Sequence, residues 1–144
     1  MTNIQKDVAK FMGRAGQTFH TTPTIPEPNK ILLHLTLILE ELMETADAAG
    51  FDLAQLEDGT GFYFATNGKP FDMVGVYDGL VDTNYVVAGA GCACGLDLKQ
   101  GHEEVHDSNM SKFIDGHRAE NGKWIKGPSY RPADLAQFLS EEFK

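Results

Sequence analysis

The chain has 144 residues, of which 42% are hydrophobic, a length and composition that predict one globular domain over residues 1–144. Its formal net charge of −9 excludes a nucleic-acid-binding face, because recognition of a phosphate backbone needs concentrated positive charge. The N-terminal residues are mixed and polar, and no apolar run is long enough to span a bilayer. We therefore expect no signal peptide, no membrane partner and a cytoplasmic location.

The first third of the chain predicts two helices joined by an extended linker. Apolar residues at helical spacing predict a helix over residues 3–15, and three prolines in residues 21–28 predict the linker. A second, longer helix is expected over residues 29–50, with Gly50 as the residue that ends it.

Three short segments interrupt the helical pattern. Residues 53–56 predict a short turn of helix, and aromatic residues around Asn67-Gly68 predict a small hairpin. A second turn is expected at Asn121-Gly122, again as part of a small hairpin.

The rest of the chain predicts three further helices. The third covers residues 72–94 and ends at Gly95, the fourth covers residues 98–113, and the last covers residues 132–143, with Pro132 at a favourable early position. The predicted fold class is all-α, a bundle of four to five helices with small hairpins.

The two cysteines lie on the predicted third helix, at Cys92 and Cys94. Residues two apart on a helix point about 200° away from each other, so these thiols are poorly placed to form a disulfide or to share a metal ion. Their neighbours are alanine and glycine, and such small residues allow close helix packing. We interpret both cysteines as structural.

Five acidic residues follow or lie within the most apolar helical segments. Glu40, Glu41 and Glu44 fall within an arc of about 100° on the second helix, and Asp78 and Asp82 lie one turn apart on the third. Like charges on apolar helices are unfavourable unless cations or protons neutralise them.

Hard divalent cations suit such a set of oxygen donors. Mg²⁺ binds through a few carboxylates and completes its shell with water or substrate phosphates, so the pattern indicates an enzyme that acts on phosphate esters or anhydrides. The alternative is that some of these acids are ordinary solvated helix charges.

The acidic pattern carries a resemblance to a known family. Glu40-Glu41-x-x-Glu44, followed by Asp78 and Asp82, resembles the paired acidic motif of the all-α nucleoside triphosphate pyrophosphatases, the MazG-like and phosphoribosyl-ATP pyrophosphohydrolase-like proteins. One departure is the second motif, which in the family is more often Glu-x-x-Asp. Here Gly79 occupies that glutamate position, and the acid lies one residue earlier, at Asp78.

The resemblance continues downstream of the acids. Asn109-x-x-Lys112 is similar to an Asn-x-x-Lys segment of the family, and residues 126–132, which begin with Lys126, are similar to a tail of its phosphoribosyl-ATP pyrophosphohydrolase-like branch. Relatives often carry arginines before the first acidic motif, where this chain has His34 and Thr36.

The resemblance implies metal-assisted hydrolysis between the α- and β-phosphates of a nucleoside triphosphate. Two or three Mg²⁺ or Mn²⁺ ions are expected on five carboxylates: Glu40, Glu41, Glu44, Asp78 and Asp82. Glu41 is the first choice to accept the proton of the attacking water. Asn109, Lys112 and Lys126 are expected to contact the phosphates.

The resemblance also bears on substrate and assembly. Viral members of the family act on deoxynucleotide pools, which makes dGTP or GTP the first substrate expected, in the host cytoplasm if the protein is viral. The alternatives are a housekeeping enzyme for dUTP, dCTP or a damaged nucleotide, a phosphoribosyl-ATP pyrophosphohydrolase, and a nucleotide-binding regulator without catalysis. A homodimer or homotetramer is expected, with packing through the apolar residues 32–39 and the small residues 88–94.

One pattern indicates a rival function. His102-Glu103-x-x-His106 matches the His-Glu-x-x-His signature of zinc proteases, in which two histidines one turn apart bind zinc. The surrounding residues are polar, whereas helices of zinc proteases that carry this signature are embedded in apolar sequence. We interpret the match as accidental.

Overall fold

The structure, a computed structural model, describes residues 1–143. Four α-helices and two small antiparallel sheets confirm the mostly helical prediction with its hairpins. In chain order the elements are α1 Asn3–Arg14, α2 Pro28–Ala48, β1 Phe51–Gln55, β2 Phe62–Thr66, α3 Met73–Cys94, α4 Leu98–Ser111, β3 His117–Arg118 and β4 Trp124–Ile125, followed by two 3₁₀ turns at Leu135–Phe138 and Glu141–Phe143.

Side-chain caps explain where three of the helices begin. The Thr2 hydroxyl accepts from the backbone of α1, the Asp72 carboxylate accepts from the N–H groups of Val74 and Gly75, and Asp97 caps α4 in the same way. Gly95 ends α3 in the left-handed region, at φ 66°, where a side chain would be strained. These signals are local in sequence, so the bounds of the helices were close to those predicted.

Close backbone contacts fix the packing of α2 against α3. A Cβ on any of three α3 glycines would press against α2: Gly75 against Ala48, Gly79 against Thr45, and Gly89 against His34. Because residue numbers rise along α3 as they fall along α2 at these contacts, the two helices run antiparallel. The same register places Glu41 opposite Asp82.

The buried core lies where α1 crosses the second half of α3. Val8 and Met12 of α1 pack on Ala88, Cys92 and Ala93, and each of the five is at most 2% exposed. The small residues 88–94 were expected to serve packing between chains. This expectation was wrong for the face that α1 covers, because the side chains of α1 fill it within the same chain.

The apolar first half of α2 is largely exposed in the single chain. Only His34 is buried there, because one face of α2 contacts α3 and no element covers the other. The exposed apolar side chains of this helix are Leu32, Leu33, Leu35, Leu39, Leu42 and Met43.

The prediction of a helical turn at residues 53–56 was wrong. These residues lie mainly in β1, which pairs with β2 in the register Phe51 to Thr66. The turn of this hairpin has Glu57 and Asp58 at its centre, since the Gly59 N–H donates to Leu56 O, and the Asp58 carboxylate accepts from the backbone and hydroxyl of Thr60.

Asn67-Gly68 follows β2 and therefore does not form the hairpin turn that it was expected to make. The Asn67 amide instead donates to Asp47, at 3.1 Å, and to Asp52, at 3.2 Å. These contacts tie the end of the hairpin to the end of α2.

The second hairpin is confirmed, since β3 and β4 flank a turn in which Gly122 has φ 84°. The last predicted helix was wrong, because residues 132–143 form only short 3₁₀ turns. Long-range bonds hold the start of this segment: Ser108 Oγ donates to Arg131 O at 2.8 Å, and the Asp134 N–H donates to Glu104 Oε1 at 3.0 Å.

Two further expectations can be compared with the structure. Cys92 and Cys94 are both free, as predicted. Among residues 1–143, no helix combines the length and the apolar character that crossing a membrane requires.

Gln5 joins α1 to the turn between α3 and α4. Its side chain is fully buried, donates to Leu96 O at 2.8 Å, and accepts from the N–H groups of Thr2 and Leu98. We predict that Gln5→Ala lowers the free energy of unfolding by about 2–3 kcal/mol, because buried backbone groups lose their partners. Urea denaturation measures this loss.

Gln100→Ala is the matched control, since Gln100 is exposed on α4 and a surface substitution of this kind changes stability by about 0.5 kcal/mol or less. Equal stability of the two variants would contradict the anchoring role of Gln5.

Candidate active site

Five carboxylates converge where α2 packs on α3. Glu40, Glu41 and Glu44 lie in the second half of α2, and Asp78 and Asp82 lie in the first half of α3. We refer to these five residues as the acidic cluster. Glu41 is half-buried and the other four are exposed.

The pKa of Glu41 is affected by all four of the other carboxylates in the acidic cluster. Its pKa is raised above the ordinary value, first by desolvation and then by repulsion from, in decreasing order, Asp82, Glu44, Asp78 and Glu40. Asp82 has the largest effect among the four, in agreement with the register that places it opposite Glu41. The predicted set of five carboxylates is thus brought together by the fold.

The acidic cluster has no positive partner. Within residues 1–143 none of its five carboxylates accepts a hydrogen bond or forms an ion pair. Other acids of the chain do: Asp47 pairs with Lys69, Asp97 with the N-terminal amine and Glu104 with Arg131. An unpaired group of like charges is the electrostatic signature expected of a cation site.

Packing explains why the second acidic motif departs from the family pattern. Gly79 faces α2, and a Cβ at this position would overlap Thr45 Oγ1. A glutamate side chain there would force the two helices apart. Asp78 lies one residue earlier, on an exposed face next to this contact, and still raises the pKa of Glu41.

The donor chemistry of the acidic cluster suits a hard cation, but its side chains do not form a closed site. Among the described residues, no group of three or more His, Cys, Asp and Glu side chains is arranged to hold a metal ion. Mutual repulsion favours separated carboxylates when no cation lies between them. Four of the five side chains are exposed, so rotation about their side-chain bonds can bring the oxygens together.

The three predicted phosphate contacts also lie together. The Lys112 Nζ donates to Asn109 Oδ1 at 2.6 Å, and the ammonium groups of Lys112 and Lys126 lie 5.7 Å and 4.8 Å from the centre of the Tyr130 ring. We refer to these four residues as the basic cluster. Tyr130 was not among the site residues predicted from the sequence, although Tyr130 belongs to the tail segment that carried the resemblance.

A network of hydrogen bonds holds the basic cluster in place. Asp115 accepts from the backbone and the hydroxyl of Ser129, and the Trp124 indole N–H donates to Lys112 O at 2.7 Å. The pKa of Glu104 is lowered by the Asp134 N–H and then by Arg131, which fixes the tail against α4. The tail is therefore attached firmly enough to position Lys126 and Tyr130.

One chain does not bring the acidic and basic clusters together. In the described part of the chain, α4 packs extensively on neither α2 nor α3. No hydrogen bond, ion pair or ring contact of the described residues joins the acidic cluster to the basic cluster.

His34 and Thr36 occupy positions at which relatives often carry arginine. His34 is buried against Gly89, and burial lowers its pKa, so it does not offer a positive charge to a phosphate. The Thr36 hydroxyl donates to Leu32 O of its own helix at 2.9 Å. Neither residue replaces the arginines as a cation.

An open groove adjoins the acidic cluster. It has a volume of ≈ 710 Å³ and lies between the end of α2 and β1, lined by Met43, Glu44, Asp47, Asp52 and Leu53. Small-molecule sites have volumes of about 300–1,000 Å³, so the groove is large enough for part of a nucleotide.

A comparison with known protein families gives a match. The sequence pattern of the phosphoribosyl-ATP pyrophosphohydrolase family matches residues 8–109, more than two thirds of the chain. The chain belongs to this family. Phosphoribosyl-ATP pyrophosphohydrolases form part of the MazG-like all-α nucleoside triphosphate pyrophosphatase superfamily, as the resemblance implied. They are hydrolases that act on phosphoric anhydrides, and this family member is a nucleotide pyrophosphohydrolase.

The part of the chain that matches the phosphoribosyl-ATP pyrophosphohydrolase family contains the whole acidic cluster and Asn109, and it ends before Lys112 and Lys126. No curated protein matches the chain. The family match therefore covers the helices that carry the acidic cluster and does not extend to the tail.

We predict that Glu41→Gln and Asp82→Asn each abolish turnover while the fold is kept. Each change removes a negative charge from the acidic cluster and preserves the shape of the side chain. The measurement is nucleotide hydrolysis at saturating Mg²⁺, with circular dichroism to confirm folding. Asp7→Asn, an exposed change on α1, is the control and keeps full activity. Activity within a few-fold of wild type would rule out the role of that residue.

The Glu41→Gln variant is also expected to change how the stability of the protein depends on pH. Because the folded-state pKa of Glu41 is raised, the wild type loses stability as pH rises from the ordinary glutamate pKa through the raised value. Glu41→Gln removes this dependence, so at neutral pH the variant is at least as stable as the wild type when no divalent cation is present.

Proposed function

We propose that the protein hydrolyses a nucleoside triphosphate to a nucleoside monophosphate and pyrophosphate, with Mg²⁺ or Mn²⁺ bound to the acidic cluster. The observation that carries this proposal is the set of five unpaired carboxylates on two packed helices of a chain in this family. We place the reaction in the cytoplasm, where nucleotide pools are held.

The residues of the acidic cluster have distinct tasks in this proposal. Two or three divalent cations would neutralise the phosphates and lower the pKa of a bound water. The five carboxylates of the acidic cluster would hold the cations. Glu41 would accept the proton of the attacking water, because it is the half-buried member, and desolvation followed by repulsion raises its pKa.

The basic cluster supplies the positive charge for the phosphate chain. Lys112 and Lys126 both contact the Tyr130 ring, and the Asn109 amide orients Lys112. Two ammonium groups held by one ring would match the spread charge of a triphosphate or of leaving pyrophosphate.

The nucleoside is the least defined part of the substrate. The groove beside Glu44 offers space for it next to the acidic cluster. We keep dGTP or GTP as the first candidate, and phosphoribosyl-ATP fits the family match equally well. The test is a panel of these nucleotides with dUTP, dCTP and oxidised nucleotides. Tight nucleotide binding without turnover in the whole panel would favour the alternative of a nucleotide-binding regulator without catalysis.

We further propose a homodimer, or a homotetramer built from such dimers, in which the basic cluster of one chain faces the acidic cluster of the other. Two observations support it. The exposed apolar side chains of α2 can be buried by a partner surface, and within residues 1–143 no contact joins the two oppositely charged clusters. Isologous pairing would bury the apolar side chains and bring each acidic cluster to a basic one.

We predict that the primary products are a nucleoside monophosphate and pyrophosphate, separated by ion-exchange chromatography. Orthophosphate with a nucleoside diphosphate as the primary products would contradict the proposal. EDTA abolishes the reaction, and Mg²⁺ or Mn²⁺ restores it, because oxygen-rich sites favour these hard cations. A strict requirement for zinc would place the chemistry elsewhere.

We predict that two inactive variants restore activity when they are mixed. Asp82→Asn breaks the acidic cluster, and Lys112→Ala breaks the basic one. In a shared site, random re-association gives mixed dimers with one complete site each, and so about a quarter of wild-type activity. The mixture is unfolded, refolded and assayed, with each variant refolded alone as the control. If each site belongs to one chain, no activity returns.

A further inference from the structure

Two histidines lie side by side on the surface of α4. The rings of His102 and His106 are nearly parallel, with an interplanar angle of 10° and centroids 6.2 Å apart. Both side chains are exposed, and within residues 1–143 neither imidazole has a hydrogen-bond partner. The ring nitrogens are therefore free to bind a ligand from solution.

We propose that His102 and His106 form a two-histidine chelate site for a borderline divalent transition metal ion, such as Cu²⁺, Ni²⁺ or Zn²⁺. Water completes the coordination shell. The site is separate from the acidic cluster, and the proposal does not depend on the proposed function.

Chelation requires the two rings to approach and to turn toward a shared ion. Metal–nitrogen distances of about 2.0–2.1 Å would bring two ring centroids to about 5 Å from each other, roughly 1 Å closer than they lie. The nitrogen lone pairs lie in the ring planes, so the nearly parallel rings must also rotate until one nitrogen of each points at the ion. Residues four apart on a helix are neighbours on one face, and exposed side chains can shift without disturbing a core. The helix thus holds both imidazoles within reach of one ion.

The same neighbourhood excludes the catalytic zinc centre that the sequence pattern suggested. Glu103 lies about 100° around the helix from His102, and its carboxylate is paired with Lys99 at 3.2 Å. Glu104 is held by Arg131 and by the Asp134 N–H. No third protein ligand and no free carboxylate base faces the two imidazoles in the described part of the chain. The site binds a metal ion and does not activate water for hydrolysis.

Donor chemistry separates this site from the acidic cluster. Imidazole nitrogen favours Cu²⁺, Ni²⁺ and Zn²⁺, with affinity highest for Cu²⁺, whereas carboxylate oxygen suits Mg²⁺ and Mn²⁺. Excess Mg²⁺ can therefore occupy the acidic cluster and leave the histidines free for Ni²⁺.

The test is isothermal titration of the full chain with Ni²⁺ and with Cu²⁺ in excess Mg²⁺. We expect one ion per chain, and we expect His102→Gln and His106→Gln each to weaken binding by about tenfold or more, since the loss of an outer-shell partner alone costs 10–100-fold. The double variant loses at least as much affinity as either single variant, because it removes both nitrogen donors. His117→Gln, an exposed histidine on β3, is the matched control and binds as the wild type does.

Two results would overturn the proposal. Wild-type Ni²⁺ affinity in the double variant would place the ion elsewhere, and single variants that each lose half of the binding sites would mean two independent imidazoles. Copper electron paramagnetic resonance gives a second readout, since two nitrogen ligands per ion are expected in the wild type and their signal is lost in the double variant. Mg²⁺-dependent hydrolysis in the double variant stays near wild type, so failure of one proposal leaves the other measurable.

Discussion

The close antiparallel contact between α2 and α3 is the constraint on which the rest of the structure depends. Glycines at 75, 79 and 89 let the backbones approach, and this approach places Glu41 opposite Asp82. The contact also determines which positions can carry an acid. An acidic side chain at position 79 would disrupt the helix contact that aligns the other carboxylates. Asp78 supplies a charge nearby without entering the interface. Helix packing thus limits which positions on this turn of α3 can carry a carboxylate.

The acids of this chain fall into two groups with opposite electrostatics. Asp72, Asp97 and Glu104 each accept hydrogen bonds from backbone N–H groups. The N-terminal ammonium and then the Lys99 N–H lower the pKa of Asp97, and the Asp134 N–H and then Arg131 lower that of Glu104. Within residues 1–143 the acidic cluster has no such partners, and desolvation followed by repulsion from the other four carboxylates raises the pKa of Glu41. The first group stabilises helix ends and the tail at neutral pH. The second is unfavourable for the isolated chain.

Local signals made the helices predictable, whereas long-range contacts decided the elements that were predicted wrongly. Caps at Asp72 and Gly95 are readable from sequence, and the acidic spacing gave the whole acidic cluster. The last helix was predicted wrongly, since residues 132–143 form short 3₁₀ turns. Glu104 and Ser108 of α4 bond the start of this segment, at Asp134 and Arg131, and the spacing of its residues carries no trace of those bonds. Tyr130 was missed for the same reason, since only the fold brings Lys112 and Lys126 onto its ring.

The proposed dimer would influence which phosphate chain the enzyme accepts. In that dimer, a triphosphate that bridges two chains would have to match the distance between an acidic cluster and the basic cluster of the partner. The assembly itself would then select the length of the phosphate chain. The exposed apolar side chains of α2 would then have two roles, to associate two chains and to set how those chains are aligned. By fixing the register of that association they would fix the spacing of the charges, in the same way that the glycines of α3 fix the spacing of the carboxylates.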